Sequence, residues 1–291
     1  MKIATAAYPL DWLDSWAQYE DKISAWVAEA AGQGAGLLVF PEYGAMELST
    51  LAGAAAAGDL ACSIQAVSER MQEAASLHLR LAAEYRVHIL GASAPVMDAN
   101  ARPVNRAELY TPDGLRDHQD KQIMTRFERE DWHIAPGGPL KLFDTTLGRV
   151  GILICYDCEF PLLGRALCDA DLLLVPSCTE ALAGYWRVRI GAMARALENQ
   201  CVCVMSSIVG DNAWSEAVDR NTGAGGVFGP PDRGFPANGV LTEGQLNRPG
   251  WTFAEVDLAK IADVRRDGAV LNRAHWCEQD ERSVAHPVVL Q

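Results

Sequence analysis

The chain has 291 residues, 49% of them hydrophobic, and a formal net charge of −13. That length holds one large domain with a buried core, or two small ones. The missing basic patch argues against nucleic-acid binding, and no apolar run approaches the ~18 residues of a membrane span.

In chain order, strand-like and helix-like segments alternate. Residues 1–10 are apolar but short, and Asp11, Trp12 and Asp14 follow, so 2–7 read as a strand and not as a signal peptide. A cytoplasmic location is expected from this. Residues 15–31 have helical spacing and stop before Gly32 and Gly34, and 36–40 form a buried strand ended by Pro41. A long helix spans 64–85, followed by a strand at 87–93. Segments 103–111 and 115–124 flank the turn Pro112-Asp113-Gly114 and predict an antiparallel hairpin. Further strands are expected at 140–143, 150–154, 171–176, 201–207 and 251–258, with helices at 162–168 and 185–198. Residues 221–236, rich in Gly and Pro, predict structured turns. Residues 278–291 show no period, which suits an arm on a neighbouring subunit or a frayed end. Helices covering one face of a mixed sheet leave the other face to be buried by a second sheet. The expected fold is therefore α/β, a four-layer α-β-β-α sandwich, with one domain over 1–265 and an extension over 266–291.

Three residues carry the candidate chemistry. Cys155 ends the buried run Val150-Gly151-Ile152-Leu153-Ile154 and opens the polar stretch Tyr156-Asp157-Cys158-Glu159. A thiol where a strand turns toward a helix stands where open α/β sheets place their chemistry, and it serves as a nucleophile if a base and an anion-stabilising group join it. Glu42 lies two residues past a buried strand, in Val39-Phe40-Pro41-Glu42-Tyr43. Partial burial there raises a carboxyl pKa and suits a general base; the other reading is a solvated turn residue. Lys121 reads as an edge charge on a strand, or, if it faces inward, as an oxyanion partner that also lowers the thiol pKa.

The order of Pro41-Glu42, Asp120-Lys121 and Cys155-Tyr156-Asp157 resembles that of the nitrilase superfamily of carbon–nitrogen hydrolases, amidase-like branch. Pro136-Gly137, Val175-Pro176-Ser177 and Arg195-Ala196-Leu197-Glu198-Asn199 are similar to that family as well, and the resemblance covers roughly residues 1 to 260. It implies a Glu-Lys-Cys triad on an α-β-β-α sandwich in homodimers or higher oligomers, without a cofactor or a metal. Glu42 would be the base, Cys155 the nucleophile, and Lys121 with the Tyr156 N–H the oxyanion site. A second glutamate would be Glu130, with Glu128 as the alternative. His133, Trp132, Thr179, Tyr185 and Trp186 are candidate pocket residues. The sequence departs from many amidase-like relatives at Glu159, where they resemble one another in an Arg, and at Met124, where a His is common. Cys-Tyr-Asp in place of the Cys-Trp-Glu that true nitrilases resemble favours an amide or carbamoyl substrate over a nitrile. The implied reaction is cleavage of a small-molecule amide to acid and ammonia through a thioester.

Rival readings follow from the other cysteines. Cys155 and Cys158 form a C-x-x-C that a redox pair would use. With Cys201 and Cys203 they supply four thiols of the kind a zinc site takes, although Val202, Val204 and Met205 make that segment an ordinary core strand. A scaffold that binds a ligand or partner without turnover is the non-enzyme reading. Eight cysteines scattered through apolar context read as reduced thiols.

Overall fold

Alternation sorts the first strands onto two cores. β1 (Lys2–Pro9) sends Ala4, Ala6 and Tyr8 to one face and Ile3 to the other. β2 (Leu37–Val39) sends Leu38 one way and Leu37 and Val39 the other. Residues two apart on a strand share a face, so both strands are covered on both sides. The computed structural model describes residues 1–289.

The elements between and beyond are α1 (Trp16–Gly32), α2 (Ala54–Ala57), α3 (Leu60–Tyr85), β3 (His88–Leu90), β4 (Ala94–Met97), β5 (Pro103–Tyr110), β6 (Arg116–Asp120) and α4 (Arg126–Glu130). Then come β7 (Leu142–Thr145), β8 (Gly148–Ile152), α5 (Pro161–Ala166), β9 (Leu172–Ser177), α6 (Leu182–Asn199) and β10 (Val202–Asp211). The chain continues through β11 (Arg220–Asn221), β12 (Gly226–Phe228), β13 (Val240–Glu243), β14 (Gly250–Glu255), α7 (Leu258–Asp267) and α8 (Asn272–His275). Short 3-10 helices cover Gly44–Ala52, Cys155–Glu159 and Trp276–Arg282.

The strands run in the order β4-β5-β3-β2-β1-β10-β9-β8-β7, with β14 on β1, β6 on β5 and β12 on β10. The fold is a mixed α/β one, with the curled sheet between helical layers. Its inner strands pair in parallel and its margins antiparallel. The two β layers expected from the sequence are halves of one continuous sheet, because β1 belongs to both. It pairs with β2 at Ile3–Thr5 and with β10 at Ala7–Pro9. One outer layer is α1 and α3, whose buried faces include Tyr19, Ile23 and Val27, and Val67, Ala74 and Leu81. The other is built on α6, through Val188, Ala192 and Ala196. That second core also takes Ile3, Leu37 and Val39, so it fills the space between the halves.

Several boundaries moved for identifiable reasons. The Asp59 carboxylate accepts the Cys62 N–H at 2.8 Å, and this cap starts α3 at Leu60, earlier than periodicity indicates. The predicted hairpin strand over 115–124 stops at Asp120: the Lys121 N–H still reaches the Asn105 carbonyl of β5 at 2.9 Å, but the Gln122 and Ile123 N–H groups are taken by the Asp157 side chain. The segment 221–236, expected as turns, contains β12, which pairs with β10. In the expected extension, Asp280 pairs with Arg165 at 2.9 Å and the Val270 carbonyl accepts from Gln200. Residues 283–289 form no regular element, and 290 and 291 lie outside the described residues.

Gly137 sits where two backbones meet. Its N–H donates to the Lys121 carbonyl at 2.8 Å, and a Cβ there would stand 2.3 Å from the Asp120 Cβ and 3.1 Å from its carbonyl. Gly138 faces open space. Gly137→Ala is expected to cost about 1–3 kcal/mol through forced overpacking, read as a lowered denaturation midpoint, whereas Gly138→Ala leaves the midpoint in place. Equal midpoints for the two variants would show that the approach is not tight.

Candidate active site

Pro41 closes the β2 edge and aims the next residue out of the sheet. Glu42 therefore leaves a strand end into the interior, 1% exposed. Tyr43 follows with φ +54°, a left-handed backbone that non-glycine residues seldom adopt. Its N–H donates to Ser93 Oγ at 2.9 Å, and Ser93 donates to Asn105 Oδ1 at 2.7 Å. Asn105 in turn donates from Nδ2 to Glu42 Oε1 at 2.9 Å. The other carboxylate oxygen, Oε2, accepts the Cys178 N–H at 2.9 Å.

Lys121, just past β6, places its ammonium 2.7 Å from Glu42 Oε1. The same nitrogen lies 2.8 and 2.7 Å from the two oxygens of Glu128. Glu128 is aimed there by a capping box at the start of α4. Thr125 and Glu128 cap each other's backbone, as the Thr-x-x-Glu spacing permits. The Tyr43 hydroxyl donates to Glu128 Oε1 at 2.6 Å.

Cys155 opens a 3-10 helix, is buried, and has φ +49°. A left-handed residue at this bend is a local strain that the surroundings must hold. Its thiol points at the Cys178 carbonyl, 3.7 Å away. The Asp157 carboxylate joins this turn to the lysine segment. It accepts the Ile154 N–H at 3.2 Å, the Ile123 N–H at 2.8 Å and the Gln122 N–H at 3.1 Å. Burial pushes its carboxyl up to about 7, while the Lys121 charge and these N–H groups pull the other way.

Two carboxylates share one ammonium, and their environments separate them. Burial, and then the Glu128 charge, raise the Glu42 carboxyl against the pull of Lys121. At Glu128 burial also acts upward, but Lys121, the Tyr43 hydroxyl and the Thr125 N–H outweigh it and lower the carboxyl. Glu42 is thus the group disposed to take a proton, and Glu128 the lasting anion. Burial, then Glu42, lift the Cys155 thiol well above its ordinary value, so it rests protonated.

These groups line one cleft of about 450 Å³. Of the residues expected from sequence, Glu42, Lys121, Cys155, Tyr156, Thr179 and Trp132 border it. The Thr179 hydroxyl is already engaged, donating to the Thr222 carbonyl at 2.7 Å. Four expectations are corrected, and the first is Trp186, which stands exposed on α6 outside the cleft. Glu130 lies on the exposed side of α4, 52% exposed and paired with Arg126 at 2.7 Å, so Glu128 is the glutamate beside the lysine. His133 is exposed at a left-handed turn beyond α4. Tyr185 is buried in the core against Val188 and its neighbours and does not reach the cleft. Cys158 is turned into the same core, donating to the Val188 carbonyl. Among the described residues no group of His, Cys, Asp and Glu is arranged to hold a metal ion, and no helix is long and apolar enough to cross a membrane.

Sequence reading did not find Tyr43, Asn105 or the Cys178 N–H. Thr125-x-x-Glu128 is a capping-box signal that selects Glu128 over Glu130, since it turns the glutamate back toward the helix start. Asn105 stands 63 residues from Glu42, and nothing local marks it.

Comparison with known proteins bears on the family and the fold. A 32% identical relative, "Probable hydrolase YhcX" of Bacillus subtilis (strain 168), aligns over 93% of this chain, but the chain spans only 52% of that protein. "Omega-amidase NIT2" of Mus musculus is 26% identical over 85% of this chain and 86% of its own length. The crystal structure of a carbon-nitrogen hydrolase from Helicobacter pylori G27 superposes with a TM-score of 0.74 at 18% identity, covering 91% of this chain and 92% of that one. The family model for carbon-nitrogen hydrolases matches residues 2–230, a span that takes in Glu42, Lys121, Glu128 and Cys155, and the chain belongs to that family.

Proposed function

We propose that the chain hydrolyses the C–N bond of a small-molecule amide, releasing ammonia and an acid through a thioester on Cys155. One observation carries this reading: Lys121 Nζ stands 2.7 Å from both Glu42 and Glu128 in the cleft that also holds the Cys155 thiol. The hydrolase and amidase names of the relatives support it.

In this scheme Glu42 takes the thiol proton as Sγ attacks the carbonyl carbon. Lys121 and the Tyr156 N–H hold the oxyanion. Lys121 gives two hydrogen bonds to Glu128, so one can pass to the oxyanion while the pair stays intact. Collapse breaks the C–N bond, and Glu42 returns the proton to the leaving nitrogen. Glu42 then takes a proton from water, which opens the thioester, and the regenerated thiol recovers that proton. Glu128 stays anionic throughout and keeps Lys121 charged.

We also infer that the chain works as a homodimer or larger oligomer. On α6, Leu182, Trp186, Ile190 and Leu197 stand exposed on one helical stripe, the kind of apolar surface that marks an interaction site.

Ammonia release from a panel of amides, ureido compounds and nitriles tests the reaction class. Cys155→Ala is expected to abolish release without loss of fold, and Glu128→Gln to lower kcat by about 10² or more. Glu130→Gln should stay within about twofold, as surface changes usually do. Release that persists in Cys155→Ala removes the thioester mechanism. The pH profile of kcat/KM should show its acid limb above the ordinary glutamate value of about 4.3, because the raised Glu42 carboxyl must be ionised to act and loses that form as pH falls. A profile flat down to that value speaks against Glu42 as base. Light scattering is expected to give a mass of at least two chains, falling to one in Ile190→Asp; a monomeric wild type ends the oligomer reading.

A further inference from the structure

Glu159 stands in the cleft wall, one turn past Cys155. Its charge is not isolated. Outside the catalytic group, the wall carries carboxylates from Glu159, Glu180, Glu216 and Asp219 against guanidiniums from Arg187 and Arg220. Resting on the amidase reading above, we infer that this cleft selects amides whose end remote from the scissile carbonyl bears an ammonium group.

The pairings leave negative charge to spare. Arg187 stands 3.5 Å from Glu159, and Arg220 stands 2.8 Å from Glu180 and 3.9 Å from Asp219. Glu216 makes no ion pair among the described residues. Both guanidiniums are more than half exposed. Exposed pairs are weakly held, so an arriving ammonium can take a share of these carboxylates. Glu159 is the deepest of the four and feels the Lys121 charge; Asp219 acts on the Cys178 thiol beside Glu42. Two segments remote in sequence, the nucleophile turn and the stretch after β10, thus bring carboxylates within electrostatic reach of the reacting atoms. A carboxylate-bearing substrate would meet this surplus as repulsion. In a narrow cleft such a field concentrates ions of the opposite sign by about 10-fold or more.

The test reads charge preference twice, once without turnover. The protein is treated with 2-aminoethyl, methyl and 2-sulfonatoethyl methanethiosulfonate. In each case the thiolate sulfur forms a mixed disulfide and methanesulfinate leaves. Labelling of Cys155 is followed by peptide mass. The cationic reagent is expected to exceed the anionic one by at least about tenfold beyond their ratio at free cysteine. Glu159→Gln should shrink that excess severalfold, Glu159→Arg should reverse it, and raised salt should shrink it as well. In parallel, kcat/KM is compared for 5-aminopentanamide, pentanamide and 4-carbamoylbutanoate, with that order expected. Labelling of Cys155 by the anionic reagent as fast as by the cationic one, or the carboxylate amide as best substrate, would overturn the inference. Charge-selective labelling without hydrolysis of any of the three amides would keep the cleft's preference for an ammonium group and instead count against the amidase reading.

Discussion

The Lys121 ammonium holds Glu42 and Glu128 where none of the three side chains is more than 3% exposed. Taking ions out of water is costly, and mutual attraction recovers the cost only when the remaining lone pairs are also satisfied. Here they are. Glu42 is completed by Asn105 and the Cys178 N–H, and Glu128 by Tyr43 and Thr125. Each completing group comes from a different part of the chain, so one ammonium draws the ends of β2, β6 and β9, the β5 strand and the start of α4 to a common point. Loss of one member would leave an uncompensated charge in the interior.

The nucleophile's turn is fixed to that point from two sides. Asp157 ties it to the backbone after Lys121. Behind it, Arg195 of α6 donates to the Cys158 carbonyl at 3.2 Å, and Gly191 lets the helix close on Cys158, where a Cβ would come within 2.8 Å of Sγ. The left-handed Cys155 is held by this clamp. Rigidity of this kind suits chemistry in which an attacking sulfur and an anion-binding ammonium must keep a fixed separation.

What could be read in advance follows from how local each signal is. Glu42 and Cys155 stood out as candidates because each stands at the end of a buried apolar run, a pattern contained within a few residues, although that pattern alone also fits a solvated turn residue and a core cysteine. The inner strands and the three long helices were legible for the same reason. Lys121 on its own read as an edge charge, and only the ordered resemblance brought it inward. His133 was misplaced because closeness along the chain to the second glutamate says nothing about direction across a left-handed turn. Tyr185 was misplaced because one helical residue facing the core sits beside another, Trp186, facing out. Asn105 reaches Glu42, and Asp219 and Arg187 reach the cleft, by tertiary packing alone, and the continuity of the two β layers depends on a register that β1 shares with partners about 35 and 200 residues away.

The position of β1 has a consequence for how the chain is made. Its first six residues lie against β14 in unbroken register from Lys2–Glu255 to Ala7–Gly250. β1 is thus a central strand whose partner β14 is synthesised about 240 residues later. Until about residue 255 emerges, that edge is an open template of unpaired N–H and C=O groups of the sort that recruits other chains. At ordinary synthesis rates of roughly 5–20 residues per second, this apolar edge stays uncovered for on the order of ten seconds or longer. The burden of keeping this protein out of aggregates therefore falls on the interval of translation, and holdase chaperones that cover the N-terminal strand are the factors on which its yield should depend.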